Sequence, residues 1–363
     1  YTVGAEIHPT QTLPISLDVG TDNEELLNDP MYIGWRHPRL KGADYDSLLE
    51  EVVTAIKTCF PNVVLQWEDF RKSNAFALLD RYRERLCSFN DDIQGTAGVA
   101  LAGVMAAGRI SNTPLSKQRV LIVGGGAAGI GIARQLREAL ASEGVEGDAL
   151  IEAIAVTDSG GLLHHGRPID DTYKEEFAWP QALVEAKGLS LQQPNNLLAC
   201  VKALKPTVLI GTSGQPNTFT EDIVRAMAEH VERPAIFPFS NPNSMCEGKP
   251  EDLIQWTHGK ALIATGSPFD PVNYAGKTFR ISQGNNVYIF PGVGLGAIVS
   301  EARVVTDGML KAAALSLAKF VTPSDLEAGL LFPPMRELTA ICASIALAVA
   351  QAAVGEGVAA PAD

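Results

Sequence analysis

The sequence predicts an α/β protein whose centre is a doubly wound parallel sheet, with a second α/β domain formed by the segments before and after that sheet. Three observations carry this. Apolar, β-branched runs at residues 120–123, 154–158, 205–211, 233–242 and 261–267 read as strands buried on both faces, the pattern of a parallel sheet covered by helices. Two of them end in polar loops, Thr212 to Gln215 and Ser240 to Asn243, on the side where such sheets bind ligands. The first run breaks into glycines and continues as a helix with Ile130, Ala133, Leu136, Ala139 and Leu140 on one face. The expected division is 1–90 for the first part of the outer domain, 91–285 for the central sheet, and 286–363 for a helical part packing back on the first.

The glycines satisfy G-x-G-x-x-G at Gly124, Gly126 and Gly129. Gly124 permits the tight turn, Gly126 lets backbone approach a pyrophosphate, and Gly129 lets helix pack on strand. With Ala127 and Ala128 they form a loop whose free N–H groups open a helix toward an anion. Standing between strand and helix, and followed by an acidic strand end at Asp158, the motif reads as a Rossmann-type dinucleotide site. Asp158 suits ribose hydroxyls and opposes a 2′-phosphate, so NAD is expected over NADP; the next cationic side chains are Arg167 and Lys174, with His164 and His165 before them.

In chain order, residues 13–21 read as a buried strand ending in a polar turn, and 22–29 as an acidic loop. Residues 35–39 form a small basic and aromatic cluster, read as a solvated loop. Tyr45 to Cys59 has helical spacing, with Leu48, Leu49, Val52, Val53 and Ile56 on one face. Residues 63–70 read as a strand delivering Glu68 and Asp69 at its end. A helix over 75–86 follows, then Asp91 and Asp92 on a strand or turn, then a small-residue helix over 97–110. The chain is mostly helical from Leu295, with an alanine-rich tail expected to fray beyond Gly355.

The 363 residues suffice for two well-filled cores, and the 46% hydrophobic content argues against disorder. A net charge of −13 argues against a nucleic-acid or anionic-membrane surface. Five dispersed cysteines without C-x-x-C spacing read as reduced thiols of a cytoplasmic protein. No run reads as long enough to cross a bilayer; the apolar stretch 341–354 reads as a packed helix.

Glu68, Asp69, Asp91 and Asp92 put four carboxylates at two strand ends. Oxygen ligands of this kind suit Mg²⁺ or Mn²⁺, and adjacent acids repel unless a cation neutralises them; the competing reading is that each caps a helix. Asn241, Asn285 and Asn286 can donate and accept, which suits a small polar substrate or a nicotinamide amide, and equally suits turns. No zinc cluster and no nucleophile elbow is present.

The runs Leu65-Gln66-Trp67-Glu68-Asp69-Phe70, Phe89-Asn90-Asp91-Asp92-Ile93-Gln94-Gly95-Thr96, Ser240-Asn241-Pro242, Thr265-Gly266-Ser267-Pro268-Phe269 and Gln283-Gly284-Asn285-Asn286-Val287-Tyr288-Ile289-Phe290-Pro291-Gly292 together resemble malic enzyme, nearer the large bacterial NAD-linked forms than the short ones. The resemblance implies oxidative decarboxylation of (S)-malate to pyruvate and CO₂ with NAD and Mg²⁺ or Mn²⁺. It implies Glu68, Asp69 and Asp92 as metal ligands, Asp91 as the carboxylate beside the general base, and Asn241 and Asn286 on substrate and nicotinamide. Gly124 to Gly129 and Asp158 take the cofactor's pyrophosphate and adenosine ribose. In the resembled family the general-base lysine, a tyrosine and a malate-binding arginine precede the position of Tyr1. The chain is therefore expected to be inactive alone, as part of a protein that forms a homo-oligomer at full length. The alternative is a non-catalytic nucleotide-binding protein derived from the same fold.

Overall fold

The computed structural model describes residues 1–192, 194 and 196–361. Its centre is a seven-stranded sheet built on β3 (Val120–Val123), β4 (Ile154–Asp158), β6 (Val208–Gly211), β7 (Ala235–Pro238) and β8 (Leu262–Thr265), all parallel. The edges are β11 (Ser282–Gln283), parallel to β8, and β5 (Gly161–Leu162), antiparallel to β4; the order is β11-β8-β7-β6-β3-β4-β5. From β3 the chain winds first to β4 and then back across to β6. The order thus reverses between β3 and β6, and their carboxyl ends open the crevice where such sheets take ligands. The Val120–Val123 strand and the helix Ala127–Ser142 have the composition predicted for them: all four strand residues are buried, and so are Ile130, Ala133, Leu136, Ala139 and Leu140.

A separate two-stranded parallel sheet, β1 (Leu65–Trp67) and β2 (Ser88–Asn90), carries the acidic segments. Helices Gly42–Cys59 and Lys72–Tyr82 cover it, with Leu49, Val53, Trp67, Leu78 and Tyr82 forming its core. A further hairpin, β9 (Val272–Tyr274) with β10 (Lys277–Phe279), stands off the main sheet. The helix Thr96–Ser111 is buried along most of its length, because its alanines and glycines let helices Ala127–Ser142 and Asp307–Phe320 approach closely. The amino-terminal residues Ala5 and Ile7 pack with Cys342 and Leu338 of the last helix, Leu338–Gly355.

The structure departs from expectation in five places. Residues 13–21 form no strand: Leu13 is 63% and Ile15 51% exposed, and a strand needs a neighbour that the described residues do not supply. Val19 and Thr21 instead make isolated backbone hydrogen bonds with Leu40 and His37. The strand expected over 63–70 is confined to three residues, and part of the 22–29 loop is a helix, Glu24–Asn28, capped by the Asn23 side chain. The tail past Gly355 is docked rather than frayed, with Val358 buried and bonded to Arg303, and Ala360 bonded to Ser300. Finally, 335–355 forms a 21-residue apolar helical run, as does 91–111, so two runs do reach spanning length; 91–111 is mostly buried in the core. Arg36, in the basic cluster, is committed to the carbonyls of Leu27, Asp29 and Tyr32.

Candidate active site

Two strand ends build the acidic cluster. Leaving β1, the chain turns sharply at Asp69, which takes a left-handed backbone conformation (φ 60°) that an aspartate tolerates better than most residues. Leaving β2, it enters a single π-type turn, Asp91–Gly95, closed by two reciprocal bonds: the Asn90 side chain accepts from the Ile93 N–H (2.9 Å), and the Gln94 side chain accepts from the Asn90 N–H (2.9 Å). These turns bring one carboxylate oxygen each of Glu68, Asp69 and Asp92 within 4.8 Å of one another. The Asp69 N–H also donates to Asp92 (3.0 Å), locking the two turns together.

Glu68 and Asp69 are exposed and Asp92 is half-buried. Desolvation lifts the carboxyls of Glu68 and Asp92 above the ordinary range, and repulsion from Asp69 adds to it in both. Three mutually repelling oxygen donors this close would fit a small hard dication of the Mg²⁺ or Mn²⁺ class. Asp91 does not join them. It turns inward, buried, where Asn286 Nδ2 donates to its Oδ2 (2.9 Å), while its Oδ1 has no partner and fits only because residue 95 is glycine. Burial, reinforced by Glu68 and Asp92, pushes its carboxyl up to about 7. Asn286 is held in turn by Thr96, whose hydroxyl donates to its Oδ1 (3.2 Å). Asn285 caps the following turn through the Val287 N–H.

The glycine loop lies across the cleft. Gly124 adopts φ +120°, and a Cβ there would meet the Thr212 carbonyl at 2.6 Å, so the β3 and β6 loops touch backbone to backbone. A Cβ on Gly129 would sit 1.8 Å from the Gly124 carbonyl oxygen, whereas one on Gly126 would meet nothing within 4 Å. The helix Ala127–Ser142 starts there without a side-chain cap, leaving its first N–H groups free toward the cleft. The cleft itself, about 820 Å³, is continuous from Asp69, Asp91 and Asp92 to Ala127 and Ala128, with Asn241 and Asn286 in its wall.

Asp158 ends β4 as expected, but its carboxylate is occupied. Arg167 and Lys174 fold back onto its two oxygens at 2.7 and 2.6 Å, and the Gly160 N–H adds a third bond. Burial alone would raise this carboxyl; the bond from Lys174, with Gly160 and the two cations, outweighs it and holds the group below the usual range.

Sequence reasoning did not single out several groups. Gln66 donates to Glu68 (2.7 Å) and accepts from the Tyr1 hydroxyl, orienting the first carboxylate of the cluster; a polar residue within an apolar strand was the available signal. Lys72 ties the start of the helix Lys72–Tyr82 to the glycine loop, donating to the Gly125 carbonyl (2.6 Å) and to Asp171 (2.6 Å).

Two family models match the chain: the malic enzyme NAD binding domain over residues 93–354 and the malic enzyme N-terminal domain over 1–83. The chain belongs to the malic enzyme family. Among curated malic enzymes it is 45% identical over 359 residues to NAD-dependent malic enzyme 1 of Vibrio vulnificus, covering 99% of this chain and 64% of that protein. It is 46% identical to the NAD-dependent malic enzyme of Pectobacterium carotovorum, covering 99% and 63%. The chain thus spans a little under two thirds of the length of these relatives. Among solved structures, the Entamoeba histolytica malic enzyme superposes with a TM-score of 0.72 at 26% identity, covering 97% of this chain and 62% of that one. The Pyrococcus horikoshii enzyme gives 0.68 at 26% identity, covering 90% and 69%.

Proposed function

We propose that this chain carries the metal- and cofactor-binding groups of an NAD-dependent malic enzyme, acting on (S)-malate to give pyruvate and CO₂. The observation that carries the reading is the shared cleft: Asp69 and Asp92, whose oxygens cluster with that of Glu68, line the same space as Ala127 and Ala128 of the glycine loop. In this reading residues 91–285 hold the nicotinamide cofactor, and the segments before and after them form the other wall. NAD is the cofactor, with its pyrophosphate at Gly124 to Gly129 and its adenosine ribose near Asp158. Asn241 and Asn286 contact substrate and nicotinamide.

Glu68, Asp69 and Asp92 would hold Mg²⁺ or Mn²⁺, which when bound supplies the Lewis acid that polarises the oxygen at the carbon being oxidised. Gln66 aims Glu68, and Asp91 holds the Asn286 amide against the cleft wall. Taking the hydroxyl proton of malate needs a base at that carbon. Among the described residues no lysine lines the cleft, so residues 1–363 alone are expected to bind cofactor and metal without turning malate over.

Isothermal titration tests this reading. NAD and Mn²⁺ should each bind, and Asp92→Asn should lose Mn²⁺ while keeping NAD. A chain that binds neither refutes it.

A further inference from the structure

We propose that Glu247 is a positioning residue for the nicotinamide half of the dinucleotide site. The proposal rests on reading the cleft as a dinucleotide site. β6 and β7 run in register until Gly211 pairs with Pro238, and one further bond, from the Phe239 N–H to the Gly211 carbonyl (2.9 Å), ends the ladder. Beyond it the strands diverge into two polar loops, and both line the cleft: Thr212, Ser213 and Gly214 from one, Ser240 and Asn241 from the other. Loops leaving a sheet lose the hydrogen bonds that fixed their spacing, so a tie between them must come from side chains.

Glu247 is that tie. It is 0% exposed, and among the described residues it has no cationic partner. Burying an unpaired carboxylate is strongly unfavourable unless donors surround it. Here four do, two from each loop: Oε1 accepts from the Ser213 N–H (2.7 Å), the Ser213 hydroxyl (2.9 Å) and the Ser240 hydroxyl (2.6 Å), and Oε2 accepts from the Ser240 N–H (3.3 Å). The Ser240 hydroxyl also accepts from the Gly214 N–H (2.9 Å), which closes the connection from one loop to the other. The sheet makes room for the carboxylate at Gly211, where a Cβ would lie 2.5 Å from the Glu247 carboxyl carbon. Glu247 is fixed at its own backbone, its carbonyl accepting from the Phe219 N–H (2.8 Å).

The position in the sheet says which half of the cofactor depends on it. Asp158 and the adenosine ribose belong to β4, and the pyrophosphate to the loop after β3. The remainder of a dinucleotide extends the other way, across the ends of β6 and β7, where Glu247 holds Gly214 beside Ser240 and Asn241. Removing the tie should therefore weaken NAD without weakening a ligand that ends at the second ribose.

The test titrates the 363-residue chain and its Glu247→Gln and Ser240→Ala variants with NAD and with ADP-ribose, following thermal unfolding in parallel. Gln keeps the size of Glu247 but sets an NH₂ group against the Ser240 N–H; Ser240→Ala removes only the hydroxyl that links the loops. Both variants should bind NAD about fivefold more weakly or worse, the yield of roughly one lost hydrogen bond, and ADP-ribose within about twofold of the parent. The double variant should be no weaker than the poorer single one, because both changes cut one connection. If Glu247→Gln does not fold, Ser240→Ala decides alone. Unchanged NAD binding, or equal losses for NAD and ADP-ribose, overturns the proposal. A parent chain that binds neither ligand overturns the dinucleotide reading itself, and with it this one.

Discussion

Two alanine substitutions, three residues apart in the glycine loop, separate what the loop does for the fold from what it does for a ligand. In Gly126→Ala the new methyl enters open space, and the backbone there (φ −78°, ψ −168°) is one that alanine adopts freely. Two small effects oppose each other. The alanine reduces the freedom of the unfolded chain, a gain of about 0.4–1 kcal/mol, and it is a poorer residue than glycine to open a helix, a loss of similar size. Stability should therefore change by less than about 1 kcal/mol, a shift of a few degrees at most in the unfolding midpoint. In Gly129→Ala the methyl would lie 1.8 Å from the Gly124 carbonyl oxygen and 2.9 Å from Thr212 Oγ1. Neither the backbone of the turn nor the buried helix start can yield easily, and overpacking of this kind costs about 1–3 kcal/mol or more. Thermal unfolding and NAD titration, run on both variants, read the two roles. Gly126→Ala should unfold like the parent yet bind NAD at least about tenfold more weakly, because its methyl occupies the approach to the pyrophosphate. Gly129→Ala should lose stability. A Gly126→Ala chain that binds NAD as the parent does would remove the pyrophosphate from this loop, and an undisturbed Gly129→Ala chain would refute the packing argument.

Other outcomes follow from the same geometry. Lys174→Ala should widen the preference for NAD over NADP several-fold in competitive titration, since it strips a cation from Asp158 and leaves the carboxylate to repel a 2′-phosphate; an unchanged ratio would place that phosphate elsewhere. Mn²⁺ affinity should fall as pH drops. The raised carboxyls of Glu68 and Asp92 take up protons at higher pH than ordinary acids, so binding at about pH 5 should be clearly weaker than at about pH 8 and should release protons, measurable by titration in two buffers. Asp91 has a folded pKa raised to about 7, above its unfolded value, so its contribution to stability is present at acid pH and declines as pH rises through about 7; Asp91→Asn should flatten that decline in metal-free thermal unfolding. NADH should not accumulate from malate with the 363-residue chain, and its appearance would reveal a base in the cleft that the present reading lacks.

Much of the central sheet was legible because it depends on local pattern. Val120–Val123, the glycines and the helix Ala127–Ser142 need only their own sequence and two covering faces. Residues 13–21 show the opposite case: alternating apolar character is not enough where no partner strand stands alongside, and Leu13 and Ile15 remain exposed. By pattern alone the acids were visible only as two doublets, and the resemblance named Glu68, Asp69 and Asp92; that these three converge depends on the left-handed turn at Asp69 and the π-type turn after Asn90. Neither turn has a sequence signature strong enough to read beforehand. Arg167 and Lys174 lie 9 and 16 residues beyond Asp158, and only the folded loop returns them to it. Glu247 carried no signal at all, since a lone glutamate after a polar loop reads as surface until both strands that enclose it are placed.

The central claim is that the acidic cluster and the glycine loop form one site, with a dication beside the nicotinamide end of the cofactor. Nuclear relaxation of bound NAD protons in the presence of Mn²⁺ addresses it most directly, because the paramagnetic effect falls off steeply with distance. The nicotinamide protons should relax strongly and the adenine protons far less, and Asp92→Asn should abolish the difference while NAD stays bound. Equal relaxation of both rings, or an effect that survives Asp92→Asn, would contradict the claim.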